Sequence, residues 1–217
     1  MIANLIGATG LTGSSLLRQL LDDERFTVVR AFVRRPLYVT HAKLETHVID
    51  FKQPDTWRHL VQGDVLFSTL GTTIREAGSQ AAQYRVDFEY QYEFARAAAD
   101  NGISTYILVS SVGANARSSN FYTRMKGELD EAVQQLDFQR IVILRPGFLD
   151  GKRKENRTGE KIGLMVMRWI GRLPFLRPWR PIHTDIVAKA MIRGATSTVP
   201  GKTIYTLGEV FELAGEQ

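Results

Sequence analysis

The chain reads as an α/β protein built on a doubly wound, mostly parallel sheet, and three observations carry that reading. Short β-branched and apolar runs alternate with helix-like segments along most of its 217 residues, and right-handed crossovers between parallel strands place such helices on both faces of a sheet. The central runs, such as Thr105-Tyr106-Ile107-Leu108-Val109, are almost continuously apolar, as strands covered on both faces must be. The first run stops abruptly at Gly7-Ala8-Thr9-Gly10-Leu11-Thr12-Gly13, a glycine-rich turn that opens a helix. The length suits one domain, spanning residues 1–217.

Ile2 to Ile6 forms the first strand, and the spacing of leucines predicts a helix over Ser14 to Leu21. The β-rich run Thr27 to Val33 is a second strand and Thr46 to Asp50 a third; a short helix near Asp55 to Val61 precedes a strand over Asp64 to Ser68. A long helix pattern spans about Gln80 to Asp100 and stops at Asn101-Gly102. After the strand Thr105 to Val109, a helix over Tyr122 to Leu136 leads to the strand Arg140 to Leu144, broken by Arg145-Pro146-Gly147. Beyond Gly151 the order is less regular, with helices expected at Lys161 to Gly171 and Thr184 to Arg193 and a late strand at Thr203 to Thr206.

Composition narrows the functional classes. Hydrophobic content of 44% and charged content of 24% are those of an ordinary globular protein. The absence of cysteine excludes a disulfide framework and a thiolate metal site. Apolar runs such as Ile162 to Met167 fall far short of the ~18 residues of a membrane span, and Met1-Ile2-Ala3-Asn4 leads straight into a strand, so a cytoplasmic location is expected. The net charge of +5 is concentrated: nine basic residues against two acidic ones fall between Gly151 and Ile182. With no recognised nucleic-acid module beside that charge, no nucleic-acid partner is expected. His41, His47 and His59 show no ligand spacing, and no metal is expected.

The glycine turn points to phosphate. A strand that ends in such a turn and opens a helix aims unpaired backbone N–H groups, and the positive end of the helix dipole, at one point. The Gly-x-x-Gly-x-x-Gly spacing gives one glycine a tight turn, one a Cβ-free surface for a pyrophosphate, and one a close helix-on-strand contact. Gly7, Thr9, Gly10, Leu11, Thr12 and Gly13 are the first cofactor contacts expected.

A second group carries proton chemistry. Tyr122 and Lys126, four residues apart, share a helix face, where an ammonium favours the phenolate form of a nearby phenol. Val109-Ser110-Ser111-Val112-Gly113 closes a central strand at its carboxyl end, where open α/β sheets form their binding crevice, and a serine there is placed to donate to a carbonyl oxygen.

Taken in order, Gly7 to Gly13, Ser110-Ser111, Ser118-Ser119-Asn120-Phe121-Tyr122, Lys126-Gly127-Glu128 and Leu144-Arg145-Pro146-Gly147 resemble the successive signatures of the short-chain dehydrogenase/reductase superfamily, with its NAD(P)-binding Rossmann fold. Within it the chain is similar to the small atypical, extended-like branch of Tat-interacting-protein-like and NmrA-like oxidoreductases, over roughly residues 1 to 215. The resemblance implies Tyr122 as general acid/base, Lys126 holding the nicotinamide ribose, and Ser111, rather than Ser110, orienting the substrate oxygen. It also implies that Leu70, Gly71, Thr72 and Thr73 run under the cofactor, that Pro146 and Gly147 flank the nicotinamide, and that residues 151–182 form a small C-terminal substrate-covering region. Relatives contact adenine where Asp50 and Phe51 close the third strand, although Asp50 serves equally well as a loop cap. Where many relatives carry a relay asparagine, this chain offers Asp87.

The second strand ends in Arg34-Arg35 with no acid nearby, and a guanidinium matches a 2′-phosphate where a carboxylate would select the 2′-hydroxyl. NADP(H) is therefore the expected cofactor, with NAD(H) the second choice. The apolar and basic residues of 151–182 suit a lid over a small, acidic substrate, a homodimer contact or a solvated face, and His183 stands before a helix with Thr184 as its expected N-cap. The reading is an NADP-dependent oxidoreductase acting on a carbonyl or alcohol; the alternative is an NADP(H)-binding redox sensor or regulator, and an epimerase or lyase would use the same tyrosine.

Overall fold

The computed structural model describes residues 1–150 and 179–216. In chain order its strands are β1 (Ile2–Ile6), β2 (Val28–Val33), β3 (Leu44–Val48), β4 (Val65–Ser68), β5 (Thr105–Val109), β6 (Arg140–Arg145), β7 (Leu149–Asp150), β8 (Ile182–His183) and β9 (Gly201–Thr206). Seven of them make one sheet in the order β3-β2-β1-β4-β5-β6-β9, with every neighbouring pair parallel, while β7 and β8 pair separately. From β1 the chain runs outward first to one side and then to the other. The crevice above such a reversal is where open α/β sheets take their ligands.

The helices are α1 (Leu11–Asp22), α2 (Ile74–Ala77), α3 (Gln80–Tyr84), α4 (Tyr90–Asp100), α5 (Phe121–Val133), α6 (Thr184–Thr196) and α7 (Gly208–Ala214). On one face of the sheet Leu16 and Leu20 of α1 pack with Val187 and Met191 of α6 and Phe211 of α7. On the other, Phe94 of α4 and Leu129 and Val133 of α5 pack with Phe32, Trp57 and Tyr106. Every residue of β4 is buried, the apolar Val65, Leu66 and Phe67 by packing and Ser68 with its hydroxyl donating to Gln91 Oε1. Each fully buried leucine or phenylalanine contributes roughly 1.5–3 kcal/mol relative to exposure, so the two layers hold the strand ends of the sheet in fixed positions.

The structure departs from the sequence expectations at element ends. The third strand begins and ends two residues earlier, leaving Asp50 and Phe51 in the loop. Residues 55–61 form two 3₁₀ turns, Pro54–Thr56 and Arg58–Leu60, because Trp57 between them turns inward, stacks on Phe94 at 4.5 Å and donates its Nε1–H to the Asp50 carbonyl. The long helix over 80–100 is interrupted by a π-turn at Arg85–Glu89. Short α2, which periodicity missed, is held by a capping box in which Thr73 Oγ1 accepts from Glu76 N and the Glu76 carboxylate accepts from Thr73 N. His183, not Thr184, caps α6: its Nδ1 accepts from Asp185 N at 3.3 Å, while Asp185 binds Ser15 and Arg18 of α1. The expected helix at 161–171, and most of the expected lid, lie outside the described residues.

Candidate active site

The glycine turn divides three tasks among three residues. Gly7 has φ +85°, and a Cβ there would lie 2.5 Å from the Thr69 carbonyl carbon. A Cβ on Gly13 would overlap the Gly7 carbonyl and stand 2.6 Å from Thr69 Oγ1, so only glycine lets α1 approach β1 and β4 this closely. Gly10 is the exposed one. It caps α1 with no side-chain hydrogen bond, and the first turn contains no acid. The N-terminus of α1 thus offers backbone donors and positive potential to solvent.

That N-terminus forms one end of a cleft of about 980 Å3 above the carboxyl ends of β1, β4 and β5. Thr9, Gly10, Leu11, Thr12 and Ser14 line this end, the segment 69–76 forms a side wall, and Ser110, Tyr122 and Lys126 stand opposite. The buried Asp87 and Gln83 and the half-buried Leu149 of β7 complete the lining.

The opposite wall is held by α5. Asn120 caps the helix by accepting from Thr123 N at 3.1 Å, and any Cβ on Gly127 would overlap the backbone of Asn115 and Ala116, so the loop after β5 lies directly on the helix. Tyr122 is 39% exposed and faces the cleft. One turn on, Lys126 Nζ lies 6.0 Å from the Tyr122 ring centroid and 2.9 Å from Asp87 Oδ1, with the ion pair almost wholly out of solvent. Burial is the largest single influence and acts to lower the Lys126 pKa, but the charge and hydrogen bond of Asp87, joined by Tyr122 and Asp130, together outweigh it and hold the ammonium above its ordinary value. Deeper in, Asp130 Oδ2 accepts from Arg145 Nε at 2.9 Å; burial raises this carboxyl, while nearby Ser110 and Arg145 pull it back down.

The structure gathers Thr9, Gly10, Leu11, Thr12, Leu70, Gly71, Thr72, Thr73, Tyr122 and Lys126 around one cavity, with Gly7 and Gly13 as its supports. Of the two serines, Ser110 lines the cleft, 6% exposed and with no hydrogen-bond partner for its Oγ among the described residues. The Ser111 hydroxyl instead donates to the Val112 carbonyl. Side chains alternate along the strand end, which is why the two neighbours diverge. Phe51 is buried against Tyr90, Trp57 and Phe94, and Asp50 accepts from Lys52 N and Gln53 Nε2 as a loop cap. Arg34 and Arg35 are exposed just past β2, outside the cleft lining. Pro146 accepts from Val112 N, and Gly147 packs under Leu207; neither lines the cleft. Sequence reasoning missed Ile74, Arg75 and Glu76, although the Thr-x-x-Glu capping signature was there to be read.

Comparison with known proteins agrees with this geometry. Residues 7–166 match the model of a family described as NAD(P)H-binding. The mitochondrial protein fmp52 of Aspergillus fumigatus is 36% identical over 205 residues, covering 91% of this chain and 88% of that protein. Among solved structures, a short-chain dehydrogenase/reductase superfamily protein from Agrobacterium tumefaciens with bound NAD superposes with a TM-score of 0.73 at 13% identity, over 96% of this chain and 77% of that one. MoeE5 in complex with UDP-glucuronic acid and NAD gives 0.72 at 18% identity, over 96% and 76%. The mitochondrial designation of the fungal relatives overturns the expectation of a cytoplasmic location. Absence of cysteine suits any reducing compartment and does not distinguish between them.

Proposed function

The chain belongs to the NAD(P)H-binding family, and from that premise we propose that it is an oxidoreductase of short-chain dehydrogenase/reductase type that uses NADP(H) on a carbonyl or alcohol. The observation that carries the reading is a single cleft joining the uncapped N-terminus of α1 to the Tyr122–Lys126 pair. The residues present fit a pyridine dinucleotide: Gly10 leaves space where a side chain would stand, the first turn of α1 bears no competing carboxylate, and the Ser110 hydroxyl, near the Asp130 carboxyl, also lines the cleft.

Leu11, Thr12 and Gly13 would bind the pyrophosphate through main-chain N–H groups. Arg34 and Arg35, exposed and without a hydrogen bond or ion pair among the described residues, support the choice of NADP(H) through a 2′-phosphate. The nicotinamide, when bound, supplies or accepts a hydride. Tyr122 Oη would give a proton to the substrate oxygen in reduction and take it back in oxidation. The Ser110 hydroxyl, rather than that of Ser111, is placed to donate to the same oxygen, and Lys126 to hold the ribose hydroxyls with its charge. Leu70 and Thr73 would exclude water along the side wall.

The test is a panel of aldehydes, ketones and quinones followed through NADPH absorbance. Turnover that disappears in Tyr122→Phe, with dinucleotide binding retained, supports the enzyme. Binding without turnover on any substrate, unaffected by Tyr122→Phe, supports the redox-sensing alternative instead.

A further inference from the structure

Lys126 does not stand free in the wall of the cleft, and its partner reaches it by an irregularity in the backbone. Asp87 is the central residue of the π-turn Arg85–Glu89, where one extra residue in the helical ladder shifts the side chains that follow. Such turns gather at functional positions because they aim a residue that a regular helix would direct elsewhere. Asp87 is itself fixed at three points: Oδ1 meets Lys126 Nζ, Oδ2 accepts from Thr72 N at 2.8 Å, and its carbonyl accepts from Gln91 Nε2 at 2.7 Å. Gln91 Oε1 in turn accepts from the Ser68 hydroxyl at the end of β4. The acid therefore ties the α5 wall of the cleft to the loop after β4.

We propose that Asp87 is a positioning residue for dinucleotide binding, which acts by holding the Lys126 ammonium charged and in place at the ribose end of the cleft. The inference rests on the reading of the cleft as a pyridine-dinucleotide site. A lysine buried without a counter-charge gives up its proton, and an unpaired buried charge is strongly unfavourable. The groups that face Lys126 are Asp87 from the π-turn and Tyr122 and Asp130 from its own helix, with Arg145 of β6 already neutralising Asp130. Asp87 is the one of these that makes a direct ion pair with the ammonium, so the charge of Lys126 depends on it.

The experiment measures the NADPH dissociation constant of the full chain between pH 6 and 10 for wild type, Asp87→Asn, Lys126→Met and the double variant. Asparagine keeps the shape of aspartate and removes its charge. Wild-type affinity is expected to stay level up to about pH 10; in Asp87→Asn it is weaker by about tenfold at pH 7 and falls again with a midpoint roughly 2–3 pH units lower, where the unpaired ammonium deprotonates. The double variant is expected to bind no more weakly than Lys126→Met alone, with no pH dependence in this range. Should Asp87→Asn not fold, the double variant carries no half-broken pair and supplies the comparison. A purely structural Asp87 would give a loss equal at all pH values and additive with that of Lys126→Met, and that result overturns the proposal. Failure of the wild type to bind any pyridine dinucleotide is a separate outcome. It refutes the reading of the cleft, and this inference with it.

Discussion

The two ends of the cleft are built from different materials. At the α1 end the contacts offered are main-chain donors, and the side chains matter mostly by being absent, as at Gly7, Gly10 and Gly13. At the α5 end they are side chains: Tyr122, open to the cleft, and the Lys126–Asp87 ion pair, out of solvent and delivered by two elements nearly forty residues apart. A backbone site tolerates most substitutions nearby but none that adds a Cβ where two chains touch. A side-chain site keeps its shape under such changes but depends on charge balance, because each buried ion needs its partner.

The contrast breaks most visibly at Gly13. Gly13→Ala should cost about 4 kcal/mol or prevent folding, since its Cβ meets the Gly7 carbonyl with backbone on both sides and nothing able to move aside; chemical denaturation measures it. Gly10→Ala, whose Cβ would stand 3.3 Å from the Gly7 carbonyl oxygen, a tight contact but no overlap, should cost only about 1 kcal/mol and weaken dinucleotide binding instead. If both glycines behave alike, the division of tasks is wrong.

At the other end, Lys126→Met leaves Asp87 buried without its partner and should cost about 3–5 kcal/mol. The pH dependence sharpens this. The folded pKa of Lys126 is raised, so the stability it contributes is fully present below its unfolded value of about 10.4 and is lost as pH rises through the folded value. Wild type should therefore lose stability in the alkaline range by a step that Lys126→Met lacks, as urea midpoints at pH 8 and pH 11 would show. Tyr122→Phe should change folding little and lower turnover by about 10²–10⁴-fold, with NADPH affinity retained. The smallest effect belongs to a buried group outside both ends: Tyr106 Oη has no hydrogen-bond partner among the described residues, and Tyr106→Phe should change stability by about 1 kcal/mol or less.

The same difference in materials decides what could be read from the sequence. The alternation of strands and helices and the glycine turn are local patterns, since apolar runs and a Gly-x-x-Gly-x-x-Gly spacing lie in consecutive residues, and the structure has a mostly parallel sheet flanked by helices with the glycine turn between β1 and α1. The Tyr122–Lys126 pair was legible for the same reason, being one helical turn apart. The Asp87–Lys126 contact was not, because a regular helix over 80–100 conceals the π-turn that aims Asp87 inward. Nor does sequence distinguish Ser110 from Ser111, since that depends on which face of a strand end lines the cleft. The place of Phe51 is likewise hidden from sequence, because its aromatic cluster with Trp57 and Phe94 is assembled by tertiary packing.

Both ends act together only if one ligand spans them. The most direct test is calorimetric titration of the purified full chain with NADPH and with NADH. The account predicts saturable binding of one dinucleotide per chain, tighter for NADPH, with the difference abolished in Arg34→Ala/Arg35→Ala. Equal affinity for the two would contradict the cofactor choice, and no heat from either would contradict the cleft as a dinucleotide site.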